Sequence, residues 1–189
     1  MKKTIVIIAL VLVAVIALVG VFSSNYNKFV EMEESVQNAQ SDVSIYLQRR
    51  ADLIPNFVET VQAYSLHEQE TYTAVTKARS AVVDADSVKE QAEASTQLDS
   101  AIDIWVNAVT EAYPELKANT QYIALQDELA GSENRIATAR NDYNKVAQAY
   151  NTAIRKFPAN IIAGLFNFEK AEYFEADDDA NDVPTVDFS

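Results

Sequence analysis

The chain has 189 residues, a formal net charge of -13, no cysteine, three glycines and four prolines. An acidic chain is a poor partner for nucleic acid, because phosphate binding needs a basic face, and a cysteine-free one excludes a disulfide framework, thiol catalysis, cysteine-ligated zinc and a lipidated N-terminal cysteine. So few helix breakers argue for long helices and against a many-turned β protein.

The first element is an anchor over 1–24. From Ile5 to Phe22 no side chain is charged or strongly polar. Those residues span roughly 27 Å as a helix, enough to cross a hydrocarbon core. In lipid every backbone polar group must pair within the segment, so the run must be helical. Lys2 and Lys3 precede it, whereas Lys28 follows among Glu31, Glu33 and Glu34. The positive-inside rule then puts the N-terminus in the cytoplasm and the domain outside. A cleaved signal peptide is the rival; its apolar core is shorter, about 7–15 residues, and Val21-Phe22-Ser23 matches its small-x-small site poorly.

Beyond the anchor, apolar residues recur at heptad spacing. Phe29, Met32, Val36, Ala39, Val43, Tyr46 and Leu53 form the first seam, interrupted by Arg50, and Pro55 predicts a break or a new start. A second helix is expected over 56–79, striped by Phe57, Val61, Tyr64, Val75 and Ala78, and a loop over 80–86. Ser87 with Glu90 reads as a capping box that opens a third helix, striped by Val88, Ala92, Ser95, Leu98, Ile102, Trp105 and Val109 and ended by Tyr113-Pro114. In the fourth helix Tyr122, Leu129, Ile136, Tyr143 and Tyr150 recur every seven residues, and Leu125, Ser132, Ala139, Val146 and Ala153 follow each by three. Gly131-Ser132 is a candidate kink and Phe157-Pro158 a stop. The pattern predicts an all-α fold: an antiparallel four-helix bundle after one transmembrane helix, with its domain over 25–168 and an acidic C-terminal tail over 169–189. An extended coiled coil between chains is the alternative; the tyrosine-rich seams suit an intramolecular bundle better.

The string from Gln48 to Asn56 (QRRADLIPN) and the string from Glu111 to Asn119 (EAYPELKAN) resemble LemA family proteins, as do Tyr26-Asn27, Glu133-Asn134-Arg135-Ile136, Tyr143-Asn144, Tyr150-Asn151 and Phe157-Pro158. The resemblance covers nearly the whole chain. It implies a bacterial membrane protein with a helical-bundle domain, and as partners a membrane metallopeptidase or a TPM-domain protein. Relatives that are lipoproteins carry a cysteine just before the Tyr-Asn pair; Ser24-Asn25 stand there in this chain, which must rely on its helix.

A search for chemistry finds little. His67-Glu68-Gln69-Glu70-Thr71 starts like a zinc-protease motif, but Thr71 stands where the second histidine belongs and the chain has a single histidine. A di-metal bundle fails for the same reason, no glycine-rich phosphate loop exists, and no serine sits in a hydrolase elbow. Neither a cofactor nor a catalytic residue is expected. Arg49, Arg50, Asp52, Glu133, Arg135 and Arg140 form a candidate polar cluster, read either as a binding site or as ion pairs tying helices together; Arg50 favours the second, since a buried arginine must be paired. Arg155, Lys156, Phe166 and Phe168 are candidate membrane-proximal contacts, in a segment that either plugs the end of the bundle or docks at the lipid interface. The function these readings support is a non-catalytic interaction or scaffold module held at the membrane. The alternatives are a subunit of a membrane-associated hydrolase or peptidase system, and an envelope-stress or membrane-remodelling factor.

Overall fold

The structure, a computed structural model, describes residues 2–62 and 69–175. His67, Tyr64 and the acidic run 177–179 lie outside the described residues. Five α-helices follow in order: α1 (Lys2–Gln62), α2 (Gln69–Asp84), α3 (Val88–Ala112), α4 (Thr120–Arg155) and α5 (Ala159–Leu165), with a 3-10 turn (Pro114–Ala118) between α3 and α4. Among the described residues there is no strand. Packing divides the chain into two units, Met1–Ala39 with Tyr143–Ala171 and Gln40–Asp142 with Glu172–Ser189.

In the first unit, α1 begins with a stretch long and apolar enough to cross a membrane and not buried at all within the protein. Farther along the same helix Phe29 and Val36 are buried, together with Tyr143, Ala147, Tyr150 and Ile154 of α4 and Ile162 and Ala163 of α5. Phe166 meets Phe22 and Tyr26 edge-on, and Phe168 meets Tyr26 and Phe29 in the same way. The buried Asn151 holds the chain after α5: its Nδ2 donates to the Ala171 carbonyl and its Oδ1 accepts from the Ala171 N–H, both at 2.8 Å. Residues 169–171, read from composition as the start of a tail, are therefore tied down by a side chain that imitates a peptide group.

In the second unit Val43, Leu47, Ala51, Ile54, Phe57, Val58 and Val61 of α1 are buried, as are Val75, Ala78 and Val82 of α2. From α3 come Leu98, Ile102, Trp105 and Val109, from the 3-10 turn Leu116, and from α4 Tyr122, Leu129 and Ile136. Phe57 stacks on Tyr122 with centroids 5.2 Å apart and meets Trp105 edge-on at 5.1 Å. Tyr122 keeps its hydroxyl satisfied: Gln126 Nε2 donates to it at 3.3 Å, and it lies 2.9 Å from Thr110 Oγ1, whose own hydrogen goes to the Val106 carbonyl at 2.6 Å. Phe174, also assigned to the tail by composition, is buried here.

The helix ends follow local chemistry. Ser87 and Glu90 make the expected capping box, with Glu90 N donating to Ser87 Oγ at 3.2 Å and Ser87 N to Glu90 Oε2 at 3.0 Å. The Ser87 N–H, then the Ser87 hydroxyl and the Asp86 N–H, hold the Glu90 carboxyl below its usual range. Asn119 caps α4 by accepting from the N–H groups of Gln121 and Tyr122 at 2.9 and 3.0 Å. The heptad series 122, 129, 136, 143, 150 of α4 is buried throughout, but its companions shift: Ser132 and Ala139 are buried, then Ala147 and Ile154 instead of Val146 and Ala153. A 3.6-residue helix drifts by about 20° per heptad against a strict repeat of seven, which moves the companion position from three residues on to four. α4 also runs unbroken through Gly131 and Ser132, and α2 continues to Asp84, into the stretch expected as a loop.

Pro55 does not break α1. Proline inside a helix removes one N–H and orphans the carbonyl four residues earlier. That carbonyl belongs to Ala51, which is fully buried, so water cannot take the place of the lost donor. Arg79 of α2 supplies it instead: its Nε donates to the Ala51 oxygen at 2.8 Å. The vacancy in one helix has become a tie to another.

Two measurements test these arrangements. Arg79→Ala should destabilise the wild-type chain by about 1.5 kcal/mol, as loss of a charged donor to a buried carbonyl does. In a Pro55→Ala background, where the residue 55 N–H returns, the same change should cost clearly less, and equal costs in denaturant titrations would show that the two are not coupled. The second concerns Tyr150, whose hydroxyl donates to Glu33 Oε1 at 3.5 Å. Burial, and after it the charges of Glu33 and Glu169, push the phenol up from 10.0 to about 12. The native state then holds this proton more tightly than the unfolded chain, so the stability it gives is full below about pH 10 and is lost as pH rises towards 12. The stability difference between wild type and Tyr150→Phe should shrink over that interval, and parallel pH profiles would contradict the assignment.

Candidate functional site

The candidate cluster resolves into separate groups. Arg50 is buried, as its place on the seam requires, and its Nη1 makes an ion pair with Asp99 Oδ1 of α3. Burial pushes the Asp99 carboxyl up more than the Arg50 guanidinium pulls it down; Glu133 and Asp103 push it further, and Arg140 opposes them. The charges of Arg50, Glu133 and Arg140 thus all act on one carboxylate. Arg140 also stands over the Phe174 ring, 5.3 Å from its centroid. A guanidinium inside protein is tolerated only where a carboxylate answers it, and this set supplies both signs.

Asp52 lies in a different group. Its Oδ1 accepts from Gln48 Nε2 at 2.8 Å and is 3.8 Å from Arg79 Nη2, beside the capped Ala51 carbonyl. Arg135 is apart from both. It reaches Glu128 at 3.9 Å and lies over Gly131, where a Cβ would come within 3.4 Å of its Nη2. Arg49 is exposed and lines a groove of about 460 Å³ together with Ile45, Gln48, Asp52, Val83 and Gln91. Gln91 is buried; its Nε2 donates to Ser44 Oγ at 2.8 Å, while its Oε1 has no hydrogen-bond partner. The polar residues that sequence reasoning missed are Asp99 and Arg79. A signal for each existed: a buried Arg50 demands an anion, and Asp99 follows the seam residue Leu98; a proline inside a helix demands an outside donor. Among the described residues no three His, Asp or Glu side chains are grouped so as to hold a metal ion.

The candidate membrane-proximal residues also separate. Arg155 and Lys156 are exposed at the end of α4. Phe166 and Phe168 pack on α1, at Phe22, Tyr26 and Phe29.

A family model described as the LemA family matches residues 39–188. The chain belongs to the LemA family. This LemA family protein is similar to magnetosome protein MamQ 2 of Paramagnetospirillum magneticum, 28% identical over 92% of the chain and 72% of the relative. It is similar to magnetosome protein MamQ of Magnetospirillum gryphiswaldense at 25% identity over 95% and 75%. Protein LemA of Metamycoplasma hominis is 28% identical over 84% of the chain and 74% of the relative. Family and apolar helix together describe a membrane-associated helical protein. The two strings that carried the resemblance have structural work in this LemA protein. The first contains Arg50, the Ala51 carbonyl and Pro55; the second contains the C-cap Tyr113, the 3-10 turn with its fully buried Leu116, and the α4 cap Asn119.

The buried pair sets a stability test. Arg50→Ala takes the ion-pair partner from Asp99 and leaves it only the weaker pull of Arg140; it should cost about 3 kcal/mol, the lower end for a broken buried pair because Asp99 keeps 35% of its side chain exposed. Lys89→Ala removes only an exposed pair to Glu93 at 3.8 Å and should change stability by less than about 0.5 kcal/mol. Thermal melts of both variants check this, and equal midpoints would free Arg50 for a binding role.

Proposed function

We propose that this LemA family protein is a non-catalytic interaction module, a four-helix bundle held at the membrane by the first part of α1. The observation that carries the reading is α1 itself. One helix bears the apolar span and then, without interruption, residues that pack in the protein, so whatever binds the domain is tethered to the bilayer. Two of the charged residues that first suggested a site support the same view, because Arg50 is paired with Asp99 and Asp52 lies beside Arg79, which answers the Ala51 carbonyl. The groove beside Arg49 is the proposed place of contact. It has exposed apolar rims at Ile45 and Val83 and a cation at Arg49. A partner segment with apolar side chains and an acceptor for Arg49 would suit it. By family analogy the partner is a membrane metallopeptidase or a TPM-domain protein. The lysines before the span support a cytoplasmic N-terminus with the domain on the other side of the membrane.

Crosslinking in native membranes, followed by partner identification, tests the leading reading. Ile45→Asp with Val83→Asp should abolish the crosslinked product without lowering the melting temperature, since both side chains are exposed. Retention of the product would remove the groove as the contact. A reporter that works only outside the cytoplasm should be active when fused after Ser189, and activity of a cytoplasmic reporter alone would invert the topology.

A further inference from the structure

α5 is apolar on both sides. Ile162 and Ala163 are buried at 4% exposure, whereas Ile161 and Leu165, on the outward face, are 58% and 65% exposed. Phe157, one turn before Ile161, is 82% exposed, and Phe166 keeps 47% exposed beside Leu165. Single exposed apolar side chains are ordinary; four large ones in one short segment are not. Asn160 is the one polar side chain of α5; a helix so largely apolar is normally buried in protein or in lipid, and the face of Ile161 and Leu165 is exposed.

The surroundings decide what covers the other face. Phe166 touches Phe22, the last residue of the apolar span, with centroids 6.2 Å apart, and Tyr26 at 4.8 Å. The span therefore fixes the depth of Phe166 at the edge of the hydrocarbon. α5 has seven residues and is about 10 Å long, so all of it lies within about 10 Å of that level. Exposed Arg155 and Lys156 precede it and place cations at headgroup height. Aromatic and aliphatic side chains beside cations, at the end of a span, are the composition of an interfacial anchor.

We infer that α5 is a second membrane contact, an in-plane foot whose outward Ile161 and Leu165, with Phe157 in the turn before the helix, enter the bilayer interface while Phe166 and Phe168 fasten it to α1. The inference rests on the reading of α1 as a membrane span. The foot holds the first unit at two points, so that unit cannot swivel about a single stalk.

The chain has no cysteine, so single introduced thiols report cleanly. The full chain is reconstituted in vesicles of phosphatidylcholine with phosphatidylglycerol and labelled with a fluorophore at Ile161→Cys, Leu165→Cys, Val13→Cys or the exposed Ile45→Cys. The labels at 161 and 165 should be quenched by lipids carrying a nitroxide near the headgroup and should be several-fold less accessible to aqueous iodide than the label at 45. The label at 13 should respond to a nitroxide deep in the chain. If 13 responds and 161 and 165 are as open to iodide as 45, the span stands and the foot is overturned. If 161 and 165 are shielded from iodide yet not quenched by lipid, protein covers the face and the foot is again overturned. If 13 does not respond, the span itself fails. As a second readout, Phe157→Ser with Ile161→Ser and Leu165→Ser should leave the melting temperature in detergent unchanged. Phe166→Ser with Phe168→Ser should lower it. A large loss of stability in the triple variant would make the face core and overturn the inference.

Discussion

α1 lives in two solvents. Its first turns expose apolar side chains in every direction, and its later turns bury one stripe against protein, yet the backbone is helical from Lys2 to Gln62. In lipid that continuity is compulsory, since an unpaired peptide group has no water to turn to. In the protein part it survives an internal proline only because Arg79 replaces the lost donor. The placement is consistent with the physics. An orphaned carbonyl at membrane depth would have needed another transmembrane helix to answer it, whereas Ala51 lies where a soluble helix can do so.

The same economy governs the charges. An acidic chain with a buried arginine could be read as holding a site for anions, but Arg50 has Asp99, and Asp99 has Arg140 as well as the repelling Glu133 and Asp103. Such a set adds little net stability compared with apolar residues of the same shape; what it does is penalise every arrangement of the helices that leaves one of its members alone. The strings that identify the family are thus best understood as instructions for joining helices. Exposed apolar side chains outside the span include Ile45 and Val83 at the groove and Ile161 and Leu165 of α5.

Much of this was legible in the chain. Heptads in α3 and α4, the Ser87 capping box, the stop at Tyr113-Pro114 and the burial of Arg50 follow from local rules and periodicity. What was not legible depends on residues far apart. Pro55 reads as a break because the rule for proline knows only its own helix, and the remedy lies at Arg79. Asp99 could not be named as the partner of Arg50, because the register between α1 and α3 is a tertiary property. The acidic composition after Phe168 suggested a tail and hid Ala171 and Phe174, which one buried asparagine and one arginine hold in place. Arg135 and Glu133 are two residues apart on a helix, so they face different directions and cannot serve one cluster.

The aromatic contacts between α1 and the end of α5 turn residue number into azimuth. Phe22, Tyr26 and Phe29 are spaced by four and three, which keeps them on one side of the helix, and each successive residue advances the side chain by about 100°. A single residue inserted between Phe22 and Tyr26 would carry Phe22 a quarter-turn or more out of phase with Phe166 and lift it by about 1.5 Å, whereas seven residues would restore the phase and change only the height. The segment leaving the membrane is therefore a keyed shaft: its length sets elevation, its phase sets heading, and evolution can alter the one without the other only in steps of whole heptads.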